Sequence, residues 1–337
     1  ASFTGPARTP WNPAHWAGGS SSGPGAATAA GLVAFSMGSE TGGSILNPST
    51  FCGLSGLRPT YGRLSRRGVV ALSWTLDKTG PMCRSADDCG LVLSAIAGYD
   101  KLDPTTTRKK FDYAGRPARS RRFKLAIAKG TYERSQPEVR ANFDKSVGVL
   151  AKFSDIAHDI EFPEYPYAQM IGTIIAAEGA SAFREIVDSG REKELQNPTA
   201  KLTGFVDSMV SAVDYLQAMR IRRIARVAID ELLAKYDAVI APTMNAVSRR
   251  IDEPWDTPAQ PRGGAGGRTA GPPGASLLSA GNLAGIPGIT VPNGFGQENC
   301  PTGIQFVGAA WTEKTLIEIA DAYQQATDWH SRRPPAV

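Results

Sequence analysis

Apolar residues in this chain fall into short runs divided by glycine, proline and small polar clusters. Residues 1–23 are rich in Gly, Pro, Ser and Trp and predict loop. Gly25 to Leu32 is a small-residue helix able to pack very closely against a sheet. Val33–Met37 predicts a short buried strand that stops at a second small-residue cluster, Gly38 to Ser44. Asn47-Pro48 predicts a helix start, with Asn47 as N-cap and Pro48 at the first helical position. Past Gly56 come short apolar pieces split by Pro59, Gly62, Gly68, Gly80 and Pro81. Helices are predicted at Asp87–Ala97, over an amphipathic stretch from Pro137 to Phe153, across much of 166–186 and 203–235, and at Glu313–Thr327. In 203–235 the reading puts Ile221, Ile224, Ala228 and Leu232 on one face, with Arg222, Arg223 and Arg226 pointing elsewhere. Strands are predicted at Phe123–Ala128, Ala238–Ala241, Ile289–Val291 and Gly303–Val307. Residues 252–275, full of Gly and Pro, predict a long loop, mobile or covering a site.

Helices alternating with short apolar strands indicate an α/β layered fold. The chain has 337 residues, 42% hydrophobic and 20% charged, as an ordinary globular protein does. A net charge of +5 is mild at this length. The densest basic stretch, Lys101 to Lys124, is broken by Asp103, Pro104, Gly115 and Pro117 and reads as a solvated loop. Read as a loop it is no base-stacking platform, so nucleic acid is not expected as a partner. Cys52, Cys83, Cys89 and Cys300 form no C-x-x-C pair, which fits a reduced, cytoplasmic compartment. His15, His158 and His330 are far apart and in no metal-binding spacing, so no metal is expected. No apolar run is long enough to span a bilayer.

The chemistry concentrates in two clusters, Gly18-Gly-Ser-Ser-Ser-Gly23 and Gly38-Ser-Glu-Thr-Gly-Gly-Ser44, with Ser44 lying 24 positions after Ser20. The helix and strand between them can fold back and bring the clusters to one end of a sheet. Glycines allow close backbone approach to a ligand, and successive N–H groups in a tight loop make an anion-binding nest. Thr41, Gly42, Gly43 and Ser44 can aim several donors at one point. A carbonyl attacked there by the Ser44 hydroxyl would have its oxyanion held, at about 3 kcal/mol per donor. A serine needs a base, and with few histidines a buried, neutral lysine is the natural one, bridged by a second serine. Taken alone, such clusters are more often plain loops or phosphate cradles than catalytic sites. Neither carries the Gly-Lys-Ser/Thr end of a P-loop, and Gly38 to Gly43 does not fit G-x-G-x-x-G.

The two clusters, followed by Phe51-Cys-Gly-Leu-Ser-Gly-Leu-Arg-Pro-Thr-Tyr-Gly-Arg63 and Leu76-Asp-Lys-Thr-Gly-Pro-Met82, resemble the signature region of the amidase-signature enzymes. Tyr236–Thr243, Asn282–Pro292 and Pro301–Gly308 resemble that family's late strand and C-terminal block, while 100–235 matches only in general pattern. The resemblance implies an α/β fold with a mixed, twisted β-sheet core covered by helices on both faces. It implies one domain over 1–337: a signature core (about 1–100), a variable helical substrate region (about 130–235) and a C-terminal block (about 236–330). It implies a cofactor-free Ser-Ser-Lys hydrolase of amides, with carbamates (a urethanase activity) or esters as further substrates. By the resemblance Ser44 is the nucleophile and Ser20, after a cis peptide bond, the proton relay. Thr41, Gly42, Gly43 and Ser44 are the oxyanion donors. The small-molecule substrate is the expected partner; the resemblance leaves a homo-oligomer open. One alternative is the glutaminase component of a tRNA-dependent amidotransferase, another a non-catalytic member of the same fold.

Three departures stand out. The family's catalytic lysine precedes the first cluster by several tens of residues; here 19 residues precede Ser20 and none is lysine, so the base and the opening of the domain are expected to be missing from this chain. Lys78 is a conceivable substitute, though a solvated or salt-bridged Lys78 is favoured. Glu40 and Leu46 stand where many members have Asp and Arg, which speaks against the amidotransferase component. Ser22-Gly23-Pro24 departs from the usual pattern and should only mark a helix start. Asp77 and Arg84 are expected to form a structural pair, and Cys52 to be a buried, inert thiol. Tyr165, Tyr167 and Met170 are either substrate wall or core. Trp11, Trp16 and Trp74 are candidates to line an acyl pocket.

Overall fold

A computed structural model describes residues 4–116, 121–195, 206–253 and 276–335. The predicted loop 252–275 lies outside them except at Asp252 and Glu253. Near the start, β1 (Arg8–Thr9) and β2 (Asn12–Trp16) form a small antiparallel ribbon. The main strands are β3 (Ser36–Glu40), β4 (Ser55–Arg58), β5 (Lys78–Cys83), β6 (Phe123–Ala128), β7 (Ser154–Ile160), β8 (Ala238–Pro242), β9 (Gly288–Phe295) and β10 (Pro301–Val307). They form one eight-stranded mixed sheet in the order β3-β5-β4-β9-β10-β8-β6-β7. β6 runs parallel to β7 and β8; the other neighbours are antiparallel. The helices are α1 (Ser22–Ala30), α2 (Leu46–Phe51), α3 (Ala86–Ile96), α4 (Pro137–Leu150), α5 (Tyr167–Ala182), α6 (Arg184–Asp188), α7 (Ala212–Leu233), α8 (Leu277–Ala284) and α9 (Glu313–Gln325).

Local chemistry sets several ends. Gly31, at φ +80°, closes α1 in the left-handed region that only glycine enters freely. Ser85 caps α3 by accepting from Asp88 N, and Ser211 caps α7 by accepting from Asp214 N. The period-2 pattern splits the sheet's faces. Phe123, Leu125, Ile127, Ala238 and Ile240 face α3, α4 and α9. Ala126, Ala128, Val239 and Ala241 face α5, α7 and α8, where the small alanines let helices approach closely. Helices thus cover both faces, as the sequence implies.

Several expectations change. The strand predicted from Val33 begins at Ser36, leaving Val33 and Phe35 exposed. Asn47 is not an N-cap, because α2 starts before it; its side chain serves the neighbouring loop instead. On α7 the buried positions are Ala218, Ala225, Ile229 and Leu233, while Ile224 is exposed. Arg222 turns inward and donates to the carbonyls of Leu283 and Thr75. Two free backbone carbonyls recruit the arginine, which a hydrophobicity pattern does not see. The pattern does not show β4, β5, β7 and α8, since glycine and proline interrupt them or their apolar runs are short.

Candidate functional site

The two Gly/Ser clusters meet. The first runs into the start of α1; the second leads from β3, an edge strand, into α2. Ser21 N donates to Ser44 O at 3.2 Å, and Gly19 N donates to Asn47 Oδ1 at 2.9 Å. Ser21 Oγ donates to Ser39 O at 3.3 Å and accepts from Ser39 N at 3.2 Å. The Gly19–Ser20 peptide is cis. Close approach explains the glycines: at Gly18, φ +85°, a Cβ would lie 2.5 Å from Asn47 Oδ1 and 2.6 Å from Pro48 Cα. At Gly43, φ +137°, it would lie 3.1 Å from Leu278 Cδ2.

Ser44 is half-buried and Ser20 exposed. Among the described residues neither hydroxyl has a hydrogen-bond partner, and no acceptor takes the N–H groups of Thr41, Gly42, Gly43 or Ser44. Thr41, Gly42 and Gly43 are buried. Folded proteins leave few buried amides unpaired, so this succession of four beside a free hydroxyl forms a site ready for an acceptor oxygen.

Buried carboxylates hold this loop. Glu40 is fully buried; its Oε2 accepts from Ile45 N at 2.7 Å and Leu46 N at 2.9 Å, the two amides that follow Ser44. Its Oε1 accepts from Arg58 Nη1 at 3.0 Å and Asn282 Nδ2 at 2.8 Å. Leu46 packs with Ile45, Phe51, Met82, Met244 and Leu278, so the cation beside Glu40 comes from Arg58 on β4 and not from position 46. Burial lowers the basicity of Arg58, and Glu40 opposes that shift. Asp77 Oδ1 accepts from Thr41 Oγ1 at 2.6 Å, while its Oδ2 accepts from Leu72 N and Ser73 N. The expected Asp77–Arg84 pair is absent among the described ion pairs: Thr41 and the turn amides take the carboxylate. Glu178 on α5 accepts from Ser73 Oγ, Thr75 Oγ1 and Tyr215 OH, tying that turn to α5 and α7.

Other candidates resolve as follows. Lys78 is neither solvated nor ion-paired: it is buried, and its Nζ donates to Asn282 O at 3.4 Å. Tyr167 and Met170 are core residues, with Tyr165 packed against them. The tryptophans do not converge. Trp11 is buried against Phe295 and donates to Cys52 O, Trp74 is exposed, and Trp16 alone borders the site beside Gly19. Cys52 is buried and donates to Ala17 O; burial pushes its thiol up to about 12. Iodoacetamide at pH 8 is therefore expected to leave Cys52 unmodified in the folded protein and to modify it in denaturant, read by peptide mass spectrometry.

The sequence singles out both serines and the donor loop. It marks Glu40 only as a departure and gives no pointer to Arg58 or Asn282. The available signal is an acidic residue inside a Gly/Ser cluster, which must find buried partners. No described residues cluster as metal ligands, and no described helix is long and apolar enough to cross a membrane.

Residues 1–317 match a protein-family model described as Amidase. The glutamyl-tRNA(Gln) amidotransferase A subunit of Ralstonia nicotianae is 33% identical over 380 residues, covering 99% of this chain and 74% of that protein. The structure of the glutamyl-tRNA(Gln) amidotransferase A subunit from Thermotoga maritima superposes with a TM-score of 0.77 at 28% identity, covering 95% of this chain and 68% of that one. Native peptide amidase from Stenotrophomonas maltophilia gives a TM-score of 0.74 at 29% identity, covering 97% and 69%.

Proposed function

Since the chain belongs to the amidase family of amidase-signature proteins, we propose that it is a serine hydrolase cleaving the C–N bond of small-molecule amides, with Ser44 as nucleophile. The observation that carries this reading is the row of four unused amides, Thr41 to Ser44, beside the unpartnered Ser44 hydroxyl. The substrate carbonyl oxygen takes those amides. Ser44 Oγ attacks the carbonyl carbon, and its proton leaves through Ser20 to a base. Collapse breaks the C–N bond, the amine departs with a proton, and water hydrolyses the acyl-enzyme. His15 is not that base: Ser248 O and Glu298 occupy its two ring nitrogens. Lys78 is engaged with Asn282. The proton acceptor of the resembling family, a lysine, is the group this mechanism calls for.

A second reading is the glutaminase component of a tRNA-dependent amidotransferase. The Ralstonia nicotianae amidotransferase protein, 33% identical, favours it. Glu40 and Leu46 favour the small-molecule amidase. The purified whole product of the gene, without partners, is assayed for hydrolysis of an aryl amide such as p-nitroacetanilide and for ammonia from glutamine. Aryl-amide turnover by the solitary protein supports the first reading. Glutamine hydrolysis only after co-purified partners are added overturns it in favour of the second.

A further inference from the structure

Lys78 is a fully buried cation-forming group without a carboxylate in ion-pair range among the described residues. It opens β5 directly opposite Glu40 on β3, and opposite residues of an antiparallel pair project to the same face. A relay joins the two. Lys78 Nζ donates to Asn282 O, Asn282 Nδ2 donates to Glu40 Oε1, and Glu40 Oε2 holds the amides of Ile45 and Leu46.

The charges close only if the amine is neutral. Glu40 and Arg58 already neutralise each other at 3.0 Å, both fully buried. A proton on Lys78 would add an uncompensated charge to a dry site. The groups that face it are Arg58 on β4, Glu40 on β3, Arg222 on α7 and Asp77 just before β5. Burial, helped by Arg58 and Arg222 and opposed by Glu40 and Asp77, holds the Lys78 amine well below the ordinary lysine range.

We infer that Lys78 is a positioning residue for the Ser44 loop: as a neutral amine it leaves Glu40 to the amides of Ile45 and Leu46, and on gaining a proton it draws Glu40 away and loosens the loop. The significance of the loop rests on the Ser44 reading; the linkage itself does not. The folded state binds this proton less readily than the unfolded chain does. Its contribution to stability is therefore complete above the unfolded value, near 10.4, and is lost as pH falls through the folded value.

The test is amide exchange at Ile45 and Leu46 between pH 5 and 9, resolved by fragmentation mass spectrometry and corrected for the intrinsic pH dependence. In the wild-type protein, protection falls by up to roughly tenfold per pH unit as pH drops from the unfolded value toward the folded one, and levels off once the folded amine itself is charged. In Lys78→Met, which keeps the stem and cannot titrate, protection stays flat. Equal slopes in the two proteins, or no slope in either, overturn the proposal. Should Lys78→Met not fold, the Lys78 Cε shift of ¹³C-lysine-labelled wild type is followed over the same range. Titration coincident with the exchange change supports the linkage, and an amine charged throughout overturns it. Exchange needs no turnover, so failure here leaves the Ser44 assignment standing, and loss of Ser44 labelling leaves this linkage standing.

Discussion

Ser44→Ala abolishes labelling by a fluorophosphonate probe and lowers amide hydrolysis by about 10⁴-fold or more, while thermal stability moves within about 0.5 kcal/mol. The two expectations follow from the same geometry. Ser44 Oγ makes no hydrogen bond with any described residue, so the fold loses little when it goes. The hydroxyl sits in the turn whose four amides have no acceptor, so chemistry loses its reacting atom. Peptide mass spectrometry of the labelled protein is the deciding measurement. Labelling at Ser44 carries the nucleophile assignment. A folded protein in which Ser44 stays unlabelled sinks it and moves a non-catalytic, ligand-binding role to the front. Ser20→Ala should cost less, roughly 10²- to 10⁴-fold, as a proton relay does.

Glu40→Gln is the second large effect, and here stability and activity fall together. Glu40 accepts four hydrogen bonds from Ile45, Leu46, Arg58 and Asn282. A glutamine offers one oxygen in place of two and turns an NH₂ toward donors. It also leaves Arg58 buried without its counter-charge. Breaking one side of a buried ion pair costs about 3–5 kcal/mol, which lowers Tm on the order of 10 °C. The amides freed are the pair following Ser44, so probe labelling of the remaining folded protein should slow as well. Glu40→Asp keeps the charge and shortens the reach, and should fall between the two. Thermal unfolding of the three proteins checks the order. A Glu40→Gln protein as stable as wild type would refute the clamp.

Much of this site is legible in the sequence because its geometry needs particular small residues in order. Gly18 and Gly43 sit where a side chain would strike Asn47 or Leu278, and a cluster of glycines around serines advertises such crowding. The strand Phe123–Ala128 has the bounds that its pattern predicts because apolar residues run through it without a breaker. By contrast β4 and β5 are hidden. Gly56, Gly80 and Pro81 lie inside them, and the ladder is completed by partners far along the chain. Charge alone sends Arg222 outward, although two backbone carbonyls wait for it inside.

What the sequence determined by itself is local or ordered in register: the alternation of helices and strands, the glycines that permit a tight serine loop, and the resemblance carried by consecutive motifs. What only the tertiary structure decided is which distant groups neutralise one another. Glu40 meets Arg58 and Asn282, Asp77 turns to Thr41 and not to Arg84, and Lys78 is left buried with a single carbonyl. The reason is physical. A charge removed from water must find its partner in space, and the partner's distance along the chain, from 18 residues for Arg58 to 242 for Asn282, places no limit on which one it finds.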